Sequence, residues 1–344
     1  MMSASQNHTV LRSSKASKAA GLIGILVLLI LVAAPFWAGR ADMRLMSELF
    51  LYLALASLWN LLAGYAGLVS VGQQAFVGFG GYLLFALTIF GGLHPVLAIG
   101  VASLFGAAIS VPVAALIFRL RGAYFAIGTW VVAEVFRLVF AQITVLGGGS
   151  GSSLPVSVVK AVSSNRTIRE WTSYWMALGL VLLVLAVVYF FLRSRKGLAL
   201  TAIRDNELAA SSLGIDIWRT QFLVYVVTAG LTTLTGGLIF LQKLRISPDA
   251  AFSVNDWTAF VIFIVVIGGI GTIEGPIIGT LVYFALREFL ADLGTIYLIV
   301  LGVVAILIML KAPKGIWGLI RERWGLELFP LTHRVEPTHT PKDT

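Results

Sequence analysis

The stretch LFLYLALASLWNLLAGYAGLVSVGQQAFVGFGGYLLFALTIFGGLHPVLAIGVASLFGAAISVPVAALIF, residues 49–118, runs for 70 residues without an Asp, Glu, Lys or Arg. A bilayer span needs roughly 20 apolar residues, so this run has to cross about three times. The rest of the 344-residue chain follows suit: it is 58% hydrophobic and 12% charged, with a mean hydropathy of +0.94, outside the usage of soluble domains. The expected fold class is all-α, a polytopic transmembrane helix bundle. There is no cysteine, which excludes disulfides, thiolate catalysis and Cys-based metal sites. The net charge of +9 comes from residues scattered beside apolar runs and not gathered on one face, so it reads as topology and not as nucleic-acid binding.

Working outward, apolar runs between charges and Gly/Pro breaks give candidate spans near 20–39, 48–66, 70–91, 95–118, 122–141, 172–192, 220–242, 256–273, 276–292 and 294–311. That is about ten, with eight to eleven allowed. With ten, 16 Lys and Arg fall on the side holding 1–19, 119–121, 193–219 and 312–344 together with Lys311 at the last helix end, and 7 on the other. The positive-inside rule then makes both termini cytoplasmic. The chain divides into a basic N-terminal tail 1–19, a membrane domain 20–311 and a C-terminal tail 312–344. Ala20 to Gly39 is long enough to span and is read as a retained first helix and not a cleaved signal. The external loop 142–171 holds GGGSGSS (147–153) and is expected to be flexible and polar.

The cytoplasmic loop 193–219 carries GLALTAIRDNELAASSLGID (197–216). On one helix over 199–213, Ala199, Ala202, Ile203, Asn206, Ala209, Ala210 and Leu213 share a face, with Arg204, Glu207, Ser211 and Ser212 opposite. Gly214 is placed to end it in a left-handed cap. A helix this short is marginal in water, so either a partner packs on its small-residue stripe or it folds back on its own bundle or lies in the headgroups.

Polar residues at membrane depth are costly and therefore candidates for function: Asn60, Gln73, Gln74, Glu134, Arg137, Glu274, Arg287 and Glu288. Glu134 and Arg137, three apart, can pair on one helix, and a path-lining role for Glu134 is the alternative. Glu274 reads as a loop carboxylate. Arg287, Glu288 and Asp292 are expected to snorkel toward the outside. Two glycine-rich regions, 64–81 and 268–279, admit two readings. Gly271, Gly275 and Gly279 form overlapping G-x-x-x-G units that let helices pack closely. Alternatively the regions are a pair of broken helices lining a path, with backbone donors open to a carboxylate; Pro276 is a candidate break.

At this point the chain resembles the permeases of branched-chain amino acid ABC importers, of the LivM-like type. The resemblance rests on NLLAGYAGLVSVGQQAFVGFGGY (60–82), RLRGAYFAIGTW (119–130) with Glu134, GGGSG (147–151), AIRDNELAASSLGI (202–215), ISPDAAFSVNDW (246–257) and VIGGIGTIEGPIIGT (266–280), and covers about 60 to 311. It implies that 199–214 is a coupling helix docking into a partner ATPase, with Arg204, Glu207, Ala209, Ala210, Leu213 and Gly214 as the coupling residues. It implies a path drawn from Asn60, Gln73, Gln74, Glu134, Gly271 and Gly275. The implied partners are a homologous LivH-like permease, two LivG/LivF-like ATPases using ATP and Mg, an external substrate-binding protein and the lipid of a bacterial cytoplasmic membrane. Ala209, Ala210 and Gly214 match the importer pattern E-A-A-x-x-x-G, whereas Leu208 stands at its Glu position and Glu207 one residue early. Gln73 stands where many relatives carry histidine.

The chain has no G-x-x-x-x-G-K-[ST], and Glu274 interrupts the G-x-G-x-x-G that Gly269 and Gly271 begin. His8, His94, His333 and His339 are too dispersed for a metal centre. No cofactor and no enzymatic activity are expected in this chain; ATP would be hydrolysed elsewhere. The rival readings are a urea or short-chain amide permease of the same class, an ion-driven secondary transporter using Glu134 or Glu274, and a membrane scaffold.

Overall fold

In the computed structural model, the described residues are 8–11, 15–290, 296–312, 314–324 and 334–337. Asp292, His333, His339 and most of the two tails lie outside them. Helices dominate: α1 (Lys15–Ala33), α2 (Arg40–Asn60), α3 (Gln73–Ile89), α4 (Pro95–Ile117), α5 (Ala123–Ala141), α6 (Val156–Val162), α7 (Arg166–Arg193), α8 (Arg195–Asp205), α9 (Glu207–Ser212), α10 (Ile217–Lys243), α11 (Pro248–Ala251), α12 (Phe260–Gly268), α13 (Glu274–Phe289), α14 (Ile296–Lys311) and α15 (Gly315–Trp324). The protein is thus an all-α polytopic membrane protein, and among the described residues seven helical runs are long and apolar enough to cross a bilayer. Every expected span has a helix on it; α3 and α13, at 17 and 16 residues, are shorter than those seven.

α2 departs most from its expected bounds. It starts at Arg40 because Gly39 and Asp42 cap it, so its first two turns carry charge and only then does the apolar stretch begin. A π-helical turn, Leu61–Tyr65, continues it. α2 packs on α7 along one side and on α12 and α13 along another, and α10 packs along α3 and α4. At these crossings glycine removes the side chain that would hold the backbones apart. Gly80 and Gly236 face Thr233 and Val77 across α3 and α10 with no room for a β-carbon, and Gly106 of α4 lies on Thr233. With lipid tails as apolar as leucine, such close packing is what drives helices together in a membrane.

The loop 142–171, expected to be flexible, is tied down over 146–154. Ser152–Ser153 pairs antiparallel with Arg245–Ile246, Leu154 N–H donates to the Leu244 carbonyl at 2.9 Å, and Leu146 and Leu154 are buried. The glycines of 147–151 serve that order: Gly147, Gly148 and Gly151 hold positive φ, and Gly151 sits against the Ile246 carbonyl where only glycine fits. A second ribbon pairs His8–Leu11 with Arg334–Pro337, joining the two tails.

Candidate functional site

The segment 199–213 is two helices, not one. Asn206 takes an extended backbone (φ −159°) and its side chain accepts the Ala209 N–H at 3.0 Å, capping α9; asparagine is a preferred N-cap residue, and this signal was present in the sequence. α9 ends as expected. Gly214 has φ +81°, and the N–H groups of Gly214 and Ile215 donate to Ser211 and Ala210 at 2.9 and 3.1 Å, a Schellman cap.

The break redistributes the predicted stripe. Leu200, Ile203 and Ala210 are buried against the bundle, whereas Ala209 is exposed with Leu208 and Leu213 beside it at 82% and 79% exposure. Leu213 therefore does not share a face with Ala210 and Ile203. Glu207 is engaged within the chain, 3.3 Å from Arg121 of the neighbouring loop. Arg204, placed by the one-helix reading on the water side, turns inward: Nη1 donates to the Gly64 carbonyl at 2.7 Å, and Nη2 lies 2.8 Å from Asp205.

Gly64 belongs to the first of two interruptions, and the two meet. After the π turn the chain is non-helical from 67 to 72, and after α12 it is non-helical from 269 to 273. Backbone groups freed in this way must be satisfied inside the protein. In the first break Gln221 donates to Ala66 O (3.2 Å), Trp59 to Ser70 O (2.8 Å), and Thr129 Oγ1 accepts from Val71 N–H (2.9 Å). Asn60 joins the breaks. Its Oδ1 accepts from Gly271 N–H at 2.8 Å and its Nδ2 donates to Thr272 O at 2.7 Å. Gly271 holds φ +77°, and a β-carbon on Gly64 would fall 2.6 Å from Gly271 N. The broken-helix and the packing readings both apply, at different glycines: Gly271 sits in the break, while Gly275 and Gly279 of α13 pack on Gly268 and Ile264 of α12. Pro276 does not break the span; it lies in the first turn of α13, where a missing N–H costs little.

The other predicted residues scatter. Gln74 is buried and accepts from Thr258 Oγ1, and Gln73 donates to Leu55 O at 3.0 Å; both tie helices together. Glu274 opens α13 and is buried, so it is not an exposed loop carboxylate. Glu134 and Arg137 pair, with Nη2 to Oε1 at 2.6 Å, and Arg137 also holds Asp249 at 2.8 Å. Arg287 does not snorkel outward: it grips Glu48 of α2 with two bonds of 2.8 Å, while Glu288 is exposed. Thr272 was missed by the sequence reading, since its contribution is a carbonyl that any residue supplies.

Comparison with known proteins adds an independent line. The family described as branched-chain amino acid transport system, permease component, matches residues 43–310. The high-affinity branched-chain amino acid transport system permease protein LivM of Escherichia coli K12 is 28% identical over 328 residues, covering 89% of this chain and 76% of that protein. LivM of Salmonella typhimurium is 28% identical over 323 residues, 88% and 76% of the two. LivH of E. coli K12, also a permease protein of that system, is 34% identical over 142 residues, 40% of this chain and 44% of LivH.

Proposed function

The chain belongs to the branched-chain amino acid permease family, and from that premise we propose that it is the LivM-like membrane subunit of an ATP-driven importer of leucine, isoleucine, valine or a similar small amino acid. It is a transport subunit. It pairs with a homologous LivH-like permease, two ATPases that bind ATP and Mg, and an external binding protein, in a bacterial cytoplasmic membrane. The reading keeps ten crossings, with both termini and α8–α9 in the cytoplasm. Pairing of the two tails in one ribbon supports their lying on the same side.

One arrangement carries the coupling role. The α8–α9 pair presents Leu208, Ala209 and Leu213 outward while its inner side holds Arg204 on the junction of both helix breaks. Two exposed leucines, one in a six-residue helix and one at its C-cap, leave apolar area in water unless a partner covers them. Closure of the ATPases would push α9, and Arg204 would pass the displacement to Gly64, Asn60 and Gly271. Asn60, Gly271, Gln73, Gln74 and Gly275 then act as the articulated framework of the path.

Glu134 has a different setting. α5 exposes much of its surface, and its carboxylate is 42% exposed beside Arg137 and Asp249. Charges left toward lipid at this depth would be expensive, so this face of α5 turns to the second permease or to the path.

The test replaces Leu208 and Leu213 by Asp. Insertion and pairing with the second permease are expected to persist, ATPase subunits to fail to co-purify, and leucine uptake to be lost. Uptake that follows an ion gradient with ATP depleted, or mutant complexes that retain their ATPases, would overturn the proposal.

A further inference from the structure

A cavity of about 760 Å³ opens along the half of α2 remote from Arg204, within the range of roughly 300–1,000 Å³ typical of ligand pockets. It runs from Arg40 at the rim to Tyr52 and lies among α2, α6, α7, α10, α13 and the 255–259 turn. At the helical rise, Tyr52 stands about 18 Å further along α2 than Arg40, and Gly64 about 36 Å. The hydrocarbon is about 30 Å thick. The cavity mouth and the α8–α9 segment therefore face opposite sides of the membrane.

Most charges on its wall answer one another. Glu170 gathers Arg40, Arg44 and Arg166 at 3.4, 3.9 and 3.1 Å. Glu48 holds Arg287, and Arg169 donates to the Ser163 carbonyl at 3.4 Å. The wall as a whole stays cationic, with six Arg and Lys against three carboxylates, and two of its charged residues have neither an ionic partner nor a side-chain hydrogen bond. The Asp256 carboxylate, half-buried, and the Lys243 ammonium make no ion pair or side-chain hydrogen bond with any described residue. Lys243 Nζ lies 4.7 Å from the centre of the Trp257 ring, which fixes it on the same wall as Asp256. The same cavity is lined by the apolar and aromatic Leu51, Tyr52, Ile239 and Phe260.

A half-buried carboxylate with no ion pair is costly, and one such acid, with one base held only by the faces of Trp257 and Phe240, beside apolar wall residues matches one ligand chemistry. We propose that this cavity binds a free α-amino acid with an apolar side chain as a zwitterion. Its carboxylate meets Lys243, its ammonium meets Asp256, and its alkyl group rests on Leu51, Tyr52 and Phe260. This rests on the amino acid import reading above and adds to it a receiving site on the permease itself, apart from the helix breaks.

The test uses the assembled permease–ATPase complex in nanodiscs, without the binding protein, and saturation-transfer NMR with L-leucine, which detects weak binding. Saturable transfer is expected with leucine, and a reduction of tenfold or more with leucinol, which lacks the carboxylate, and with 4-methylpentanoate, which lacks the ammonium. Asp256→Asn and Lys243→Gln are each expected to weaken leucine binding at least tenfold with unchanged thermal unfolding; because Lys243 is exposed, its variant keeps the test available should the first fail to fold. Equal transfer from all three compounds would reveal an apolar or lipid site, and a preference for 4-methylpentanoate an anion site. Either result, or variants that bind like wild type, overturns the inference. Absence of leucine binding in a complex that still imports leucine with its binding protein sinks this site alone. Absence of leucine import by a folded complex with working ATPases sinks the import reading.

Discussion

Asn60 and Gly64 show how single residues set the geometry of the core. Asn60, itself buried, satisfies one part-buried donor and one part-buried acceptor across 211 and 212 residues of sequence, so Asn60→Ala orphans both, at up to about 1–3 kcal/mol for each group. The expected outcome is a lower unfolding temperature of the purified complex and loss of uptake, with Asn60→Leu equally impaired because volume without polarity does not help. Gly64→Ala places a methyl 2.6 Å from Gly271 N, and overpacking of this kind costs about 1–3 kcal/mol. By contrast a β-carbon on Gly100 of α4 meets nothing within 4 Å. Gly100→Ala is expected to stabilise by about 0.5–1 kcal/mol, and paired thermal melts of the two variants check the contrast. At this scale the sequence marked Asn60 as unusual for its depth but not what it touches; its partners are backbone groups, which leave no trace in residue type. Arg287 is the same case: its partner Glu48 lies 239 positions away.

The elements repeat the lesson over short distances. Periodicity alone made 199–213 one helix, because Asn206 fits the small-residue face; the extended backbone at Asn206 turns α9 so that Leu208 and Leu213 point outward. Gly214, whose role depends only on its own φ, was legible. A non-glycine residue in the left-handed region costs about 1–2 kcal/mol, and nothing crowds Gly214. Gly214→Val is therefore expected to unwind the end of α9 and reduce co-purifying ATPase, while Gly214→Asn, which tolerates that conformation, keeps most of it. Pull-down of the ATPases with the two variants decides this. The loop 147–153 was read as flexible because glycine and serine are common in flexible linkers, but those glycines let it lie against Arg245–Ile246.

For the whole molecule, the arrangement is a long α2 with a charged cavity at one end and the helix-break junction at the other, so that the two proposed regions lie at opposite ends of one helix, on opposite sides of the bilayer in the proposed topology. The absence of cysteine allows this to be tested by labelling. In intact cells, Ala209→Cys is expected to resist a membrane-impermeant maleimide and Gly149→Cys, on the open surface of the opposite loop, to react; the reverse pattern would invert the topology. Hydropathy and the small-residue motifs were sufficient to establish from sequence an all-α membrane protein and its family resemblance, because lipid demands long apolar runs and satisfied backbones whatever the tertiary contacts. Only the tertiary structure decided that the two breaks touch, that Arg204 faces inward, and that Lys243 and Asp256 share one wall. Those are meetings of residues far apart in the chain, and which backbone group or charge a side chain reaches depends on how helices cross, a quantity that no local pattern of residues encodes.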